Sequence, residues 1–152
     1  MGEMLTFMMG EFEAEFPVDR KYAKNHMWAQ CHEDSVIRFG FTAYAVRLLQ
    51  DVYFLDWLVD APANLESGQE IGSIESKKAE SALFAPVTGQ LIEFNESLMD
   101  DPSTINVDKY QRGWLFTMQG DSSELIEACA YITLLDEVWD KTQRTIKGQL
   151  NE

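Results

Sequence analysis

The sequence predicts a mostly β domain, a small sandwich or barrel, with one short internal helix and one amphipathic helix at the C-terminus. Three observations carry that prediction. Short apolar-rich runs of strand length recur between residues 27 and 118, and clusters of turn-forming residues separate them. Helical spacing replaces the strand pattern at only two places.

Residues 1–20 mix acidic and apolar positions around Pro17 and read as an irregular arm that leads into the body near Tyr22. Four of the seven methionines fall in its first nine residues, an apolar arm that either frays or docks on the body or on a partner. Strands are expected at 27–31, 35–39, 52–58, 71–75, 82–85, 88–94 and 114–118. The punctuation between them includes Glu33-Asp34, Asp60-Ala61-Pro62, Glu66-Ser67-Gly68, Pro86 to Gly89, and Asp100-Asp101-Pro102. Thr42 can cap a short helix through Tyr44, Val46, Leu48 and Leu49 that ends before Asp51. Asp121-Ser122-Ser123-Glu124 has capping-box spacing. Leu125, Ala128, Ile132, Leu135 and Trp139 then recur at helical intervals, so a helix is expected from there to about residue 147, its apolar stripe on the body. The segments are an arm (1–20), a barrel-like domain (21–120) and a terminal helix (121–152).

With 152 residues, 45% of them hydrophobic, the chain has the size of one ordinary domain and can build a real core. Acidic residues outnumber basic ones 26 to 12, a formal net charge of -14 that repels phosphate backbones and anionic lipid heads. Nucleic acid and membrane surfaces are therefore excluded as natural partners, whereas basic clefts of larger enzymes would attract such a chain. Cys31 and Cys129 lie far apart and outside any C-x-x-C spacing, so neither a disulfide framework nor a metal site is expected. The start lacks the basic region of a signal peptide and its apolar stretch is too short to span a bilayer; a cytoplasmic protein is expected. His26 and His32 are the only histidines. Cys31 adjoins His32 on a strand, where neighbours point to opposite faces, so the pair makes a poor nucleophile and base. No catalytic group is expected.

The most informative segment is Ile74-Glu75-Ser76-Lys77-Lys78-Ala79-Glu80, followed by Leu83-Phe84-Ala85-Pro86-Val87-Thr88-Gly89. A lysine that carries a cofactor must stand clear of the protein, on a backbone rigid enough to present one shape. A tight hairpin between two strands does both. Around it, His26 and Trp28, Gly40-Phe41-Thr42-Ala43-Tyr44-Ala45, Leu65-Glu66-Ser67-Gly68, Asn95-Glu96, and Tyr110 with Gly113-Trp114-Leu115 occur in order. From Tyr22 to Gly120 the chain thereby resembles the H protein of the glycine cleavage system.

The resemblance implies a barrel-sandwich hybrid fold of the lipoyl-domain kind, with lipoate amide-linked to Lys78 and Lys77 in the variable position of the pattern Glu-Ser-x-Lys-Ala. Glu75, Ser76 and Ala79 would form the recognised hairpin. Glu75 and Glu80 are either marks read by the loading enzyme or solvated charges. The partners it implies are a lipoate ligase or a lipoyl/octanoyl transferase, and glycine decarboxylase, aminomethyltransferase and dihydrolipoyl dehydrogenase. Gly68 and Gly89 are expected to supply turn conformations closed to other residues.

Three positions depart from the family's polar cleft, in which the loaded arm is parked. The glutamate between His and Trp is Met27, the acidic residue soon after the modified lysine is Ala82, and the histidine late in the short helix is Leu48. A desolvated ammonium needs an acceptor that a thioether barely provides. Such a cleft would suit a bare dithiolane or a sulfur-linked cargo better than a methylamine. That leaves a glycine cleavage carrier, or an H-like paralogue in lipoate relay or in sulfur oxidation with heterodisulfide-reductase-like proteins. A binding module without cofactor is the reading of another class.

Overall fold

The computed structural model describes residues 3–150, with side chains for residues 3–140. Residues 1, 2, 151 and 152 of the expected arm and terminal helix lie outside that range. In chain order the strands are β1 (Met4–Met9), β2 (Phe12–Pro17), β3 (Lys21–Tyr22), β4 (Met27–Cys31), β5 (Val36–Phe41), β6 (Val52–Trp57), β7 (Ala63–Leu65), β8 (Glu70–Ser76), β9 (Glu80–Phe84), β10 (Gly89–Phe94) and β11 (Phe116–Gly120). The helices are α1 (Ala43–Leu49), α2 (Ser97–Asp100), α3 (Thr104–Val107) and α4 (Ala128–Leu150).

Two antiparallel sheets build the body, six strands in the order β3-β4-β5-β11-β10-β7 and three in the order β6-β8-β9. Between them lies a core that includes Met27, Phe39, Leu55, Ile74, Leu91 and Phe116. Alternation along β4 sends Met27 and Ala29 into this core and Trp28 to the other side, where it joins the second cluster with Tyr22, Tyr44, Tyr131 and Leu135. Trp28 lies across Gly40, its partner on β5, and a methyl group at Gly40 would meet the indole at 2.5 Å.

The seven expected strands all form, within two residues of their expected ends, and Thr42 caps α1 by accepting from the Ala45 N–H. Three expectations need correction. The first concerns the arm, which is a hairpin: Gly10 at φ +66° and Glu11 turn the chain between Met9 and Phe12, in the two-residue loop that favours glycine first. Phe7, Met9, Ala14 and Phe16 point from it into the second cluster.

The second concerns the terminal helix, which begins at Ala128, because the Tyr22 and Ile126 backbones exchange both hydrogen bonds (2.8 and 2.9 Å) and hold Ile126 extended. The Ser123 N–H and hydroxyl both donate to the Asp121 carboxylate, closing an Asx turn instead of a capping box. Tyr131 and Leu135 from α4 are fully buried. The third concerns Gly89. Gly68 has φ +86° as expected, but Gly89 is a strand residue whose added Cβ would sit 2.8 Å from the Gly120 Cα, so close backbone approach requires the glycine there.

One strained residue props the functional end of the molecule. Gln50, after α1, has φ 60° and ψ -137°, a region poorly suited to any side chain. Asn106 holds it there, donating from Nδ2 to the Gln50 carbonyl (2.5 Å) and accepting the Val52 N–H at Oδ1 (2.9 Å). Gln50→Gly is expected to raise the unfolding free energy by about 1 kcal/mol through relief of that strain. A denaturant titration checks it, and a lower midpoint at unchanged slope would contradict it.

Candidate functional site

Strands β8 and β9 are joined by the three residues Lys77-Lys78-Ala79, with Glu75 opposite Glu80 as the last pair before the turn. Neither lysine has a positive φ, so this is not one of the turns whose twist matches a hairpin by itself. Ser76 supplies the missing order. Its side chain is buried (4% exposed residue); its Oγ donates to the Ala79 carbonyl (3.1 Å) and accepts the N–H groups of Lys78 (3.3 Å) and Ala79 (3.2 Å). The Ser76 N–H also donates to the Ala79 carbonyl, and the Lys77 N–H to the Asp51 carbonyl, both at 2.8 Å. The turn is thus fixed at its foot while Lys77 and Lys78 stand exposed at its tip.

Beside the hairpin opens a cleft of about 290 Å³. The structure brings the three departing positions together in its wall: Met27 from β4, Leu48 from α1 and Ala82 from β9. Ala79, next to Lys78, reaches the same cleft, and Phe41 and Ile74 extend its apolar lining. Met27 is only 2% exposed, so its thioether belongs as much to the core as to the cleft. None of the lining residues carries a carboxylate. Glu75 and Glu80 stay outside it, on the hairpin.

The polar groups that do line the cleft are neutral. Asn25 donates to the Phe84 carbonyl (3.1 Å), tying the open edge of β9 to the turn before β4. His26, in the left-handed region at φ 70°, packs its ring 4.7 Å from that of Tyr44, and its Nδ1 lies 2.8 Å from the Tyr131 hydroxyl, which in turn contacts the Thr42 hydroxyl at 3.0 Å. Burial lowers the His26 pKa to about 4, so the imidazole is uncharged near neutral pH. Burial likewise pushes the Tyr131 hydroxyl far above its ordinary range, so it remains protonated.

Sequence reasoning singled out His26 but did not find its bond to Tyr131, since the two residues lie 105 positions apart. The physical consequence is a pH dependence. The unfolded chain binds a proton at His26 below its ordinary pKa near 6.5, whereas the folded chain does so only near 4. Stability is therefore expected to fall as pH drops from about 6.5 to about 4, and His26→Asn is expected to flatten that slope. Unfolding midpoints across this window check it; equal slopes in both proteins would contradict a buried neutral histidine.

Among the described residues no group of three or more histidine, cysteine or carboxylate side chains could hold a metal, and no helix is long and apolar enough to cross a membrane. Cys31 and Cys129 are free and exposed.

Comparison with known proteins supplies the context of this geometry. A family model described as glycine cleavage H-protein matches residues 20–137. The glycine cleavage system H protein of Anaeromyxobacter sp. (strain K) is 39% identical over 127 residues, covering 81% of this chain and 98% of that protein. That of Beutenbergia cavernae is 43% identical over 119 residues, covering 78% and 94%. The crystal structure of a glycine cleavage system H protein from Mycobacterium marinum superposes with a TM-score of 0.69 at 36% identity, covering 76% of this chain and 95% of that one. The β1–β2 hairpin lies before the segment that the family model matches.

Proposed function

The chain belongs to the glycine cleavage H-protein family, and on that premise we propose that it is a lipoyl carrier whose arm is amide-linked to Lys78. Members of this family are carriers and not enzymes, and bear lipoate covalently on a lysine. The observation that carries the assignment to Lys78 is the Ser76-stitched turn, which holds a Ser-x-Lys-Ala segment rigid and exposed beside an apolar cleft. When bound, the dithiolane supplies two-electron redox chemistry and a sulfur that accepts a transferred group. The protein does the rest. Ser76, Ala79 and the Glu75–Glu80 pair present the lysine to a loading enzyme, a lipoate ligase or a lipoyl/octanoyl transferase. The cleft walls of Met27, Leu48 and Ala82 offer shelter from water. A cytoplasmic setting accords with two free, exposed cysteines.

In the glycine cleavage reading the partners are glycine decarboxylase, aminomethyltransferase and dihydrolipoyl dehydrogenase, the set implied by the family. The carboxylate-free cleft favours a second reading. An ammonium entering it would lose hydration and gain no counter-charge, a cost of several kcal/mol, whereas a neutral dithiolane or sulfur-linked cargo meets no such penalty. That is the environment of an H-like paralogue serving lipoate relay or heterodisulfide-reductase-like partners. Incubation of the lipoylated protein with glycine decarboxylase, its cofactor and labelled glycine separates the two. Label transferred to the arm and retained there assigns the glycine cleavage role; lipoate without transfer, or label quickly lost, assigns the paralogue.

A further inference from the structure

The strand that borders the lysine turn carries two exposed aromatic rings that the carrier chemistry does not use. β6 pairs with β8 from Val52 opposite Ser76 to Trp57 opposite Gly72, and the register slips between Val52 and Phe54. The slip makes Tyr53 an extra residue, a bulge on the outer strand of the three-stranded sheet. A regular strand would send one of two neighbours inward. Here Val52 and Leu55 are buried while Tyr53 (62% exposed) and Phe54 (48%) both face water.

Their position relative to the lysines is fixed by hydrogen-bond register. Phe54 pairs with Glu75, and Glu75 with Glu80, so one row crosses all three strands immediately behind the turn. Lys77 is tied to the Asp51 carbonyl at the head of β6. Fold stability alone accounts poorly for this row. Two carboxylates directly opposite each other repel, and neighbouring solvated rings forgo the burial that makes aromatic residues useful. A bulge can protect an outer strand from unwanted pairing, but polar side chains would serve that purpose better.

We propose that Tyr53 and Phe54, with Glu75 and Glu80, form the face by which the enzyme that acylates Lys78 docks on this hairpin. The inference rests on the reading of Lys78 as the modified residue. The partner is identified by complementarity: a basic cleft that takes the two carboxylates and the -14 field of the chain, edged by an apolar shelf that takes the rings. Docking there brings the Lys78 amine to an activated acyl carbon. The amide C–N bond forms as the bond from that carbon to its adenylate oxygen or carrier sulfur breaks, and the amine's proton leaves to solvent. The redox state of the acyl group does not change.

The test uses the full chain made without lipoate, a purified lipoate–protein ligase, lipoate and ATP, with initial loading rates read by intact mass over a range of carrier concentrations. The double variant Tyr53→Ser/Phe54→Ser is expected to lose roughly tenfold in kcat/KM, mainly through KM. Glu75→Gln/Glu80→Gln is expected to weaken the dependence of loading on salt. Acylation of Lys78 by an N-hydroxysuccinimide ester, which needs no docking, is expected to proceed equally in wild type and variants, with unchanged circular dichroism. Loading of the ring variant within twofold of wild type would overturn the inference, as would a loss matched by the chemical acylation. A ring variant that loads normally but changes its oligomeric state would overturn it by assigning the face to a second copy. Failure of wild type to load on Lys78 would overturn the carrier reading itself, an outcome distinguishable from these.

Discussion

Arginine at position 78 is expected to abolish covalent loading while leaving the fold intact. The amine of lysine becomes a nucleophile on losing a proton; the guanidinium, which stays protonated with its charge delocalised, does not. Both side chains are cationic and extended, and position 78 is exposed, so unfolding free energies should agree to within about 0.5 kcal/mol. Lys77→Arg is the internal control. Its N–H is committed to the Asp51 carbonyl, and the Ser-x-Lys-Ala spacing leaves it in the variable place, so its loading should match wild type. Loading that persists in Lys78→Arg and vanishes in Lys77→Arg would move the site by one residue. Peptide mass spectrometry after ligase treatment reads both outcomes.

A carboxylate at position 27 is expected to change what the arm can hold. Met27 is almost fully buried, and the imidazole near it is neutral, so Met27→Glu places an acid with no resident counter-charge in an apolar wall. The empty variant should lose about 2–4 kcal/mol of stability or keep the new acid protonated. Once an ammonium-bearing load is present the sign reverses, because the pair neutralises within a poorly hydrated site. Retention of an aminomethyl load should lengthen severalfold relative to wild type, measured as the half-life of label on the arm. Ala82→Asp, at a half-buried position, offers the same charge with less disturbance of the core. Unchanged retention in both variants would show that the missing carboxylates do not set the cargo.

Much of the fold was legible because alternation and turn residues agreed. The 27–31 strand formed with the expected ends, and the Thr42-capped helix ended at Leu49 before a turn. The β1–β2 hairpin was missed although its pattern is present: Phe7 and Met9 alternate with polar or exposed positions, then Phe12, Ala14 and Phe16 do so after Gly10-Glu11. Pro17 and the interleaved glutamates made that stretch read as irregular, but Pro17 only ends β2, and the glutamates face solvent. β7 is three residues long, too short for any periodicity. The start of α4 was displaced by a tertiary pairing, Ile126 with Tyr22, that local propensity cannot anticipate.

The candidate site divides along the same line. The lysine turn is contiguous, so its chemistry could be read from one segment. The cleft is assembled from β4, α1 and β9, and only the family resemblance linked Met27, Leu48 and Ala82 before the structure placed them in one wall. His26 was visible as a residue but not as a neutral group, because its environment comes from Tyr44 and from Tyr131 on the terminal helix.

The most direct measurement is peptide mass spectrometry of the hairpin from protein isolated from its own cell. The account predicts a single lipoyl addition on Lys78 in the peptide that spans Ser76 to Glu80, with Lys77 unmodified. An unmodified hairpin in cells that lipoylate other proteins, or a lipoyl group on Lys77 alone, would contradict it.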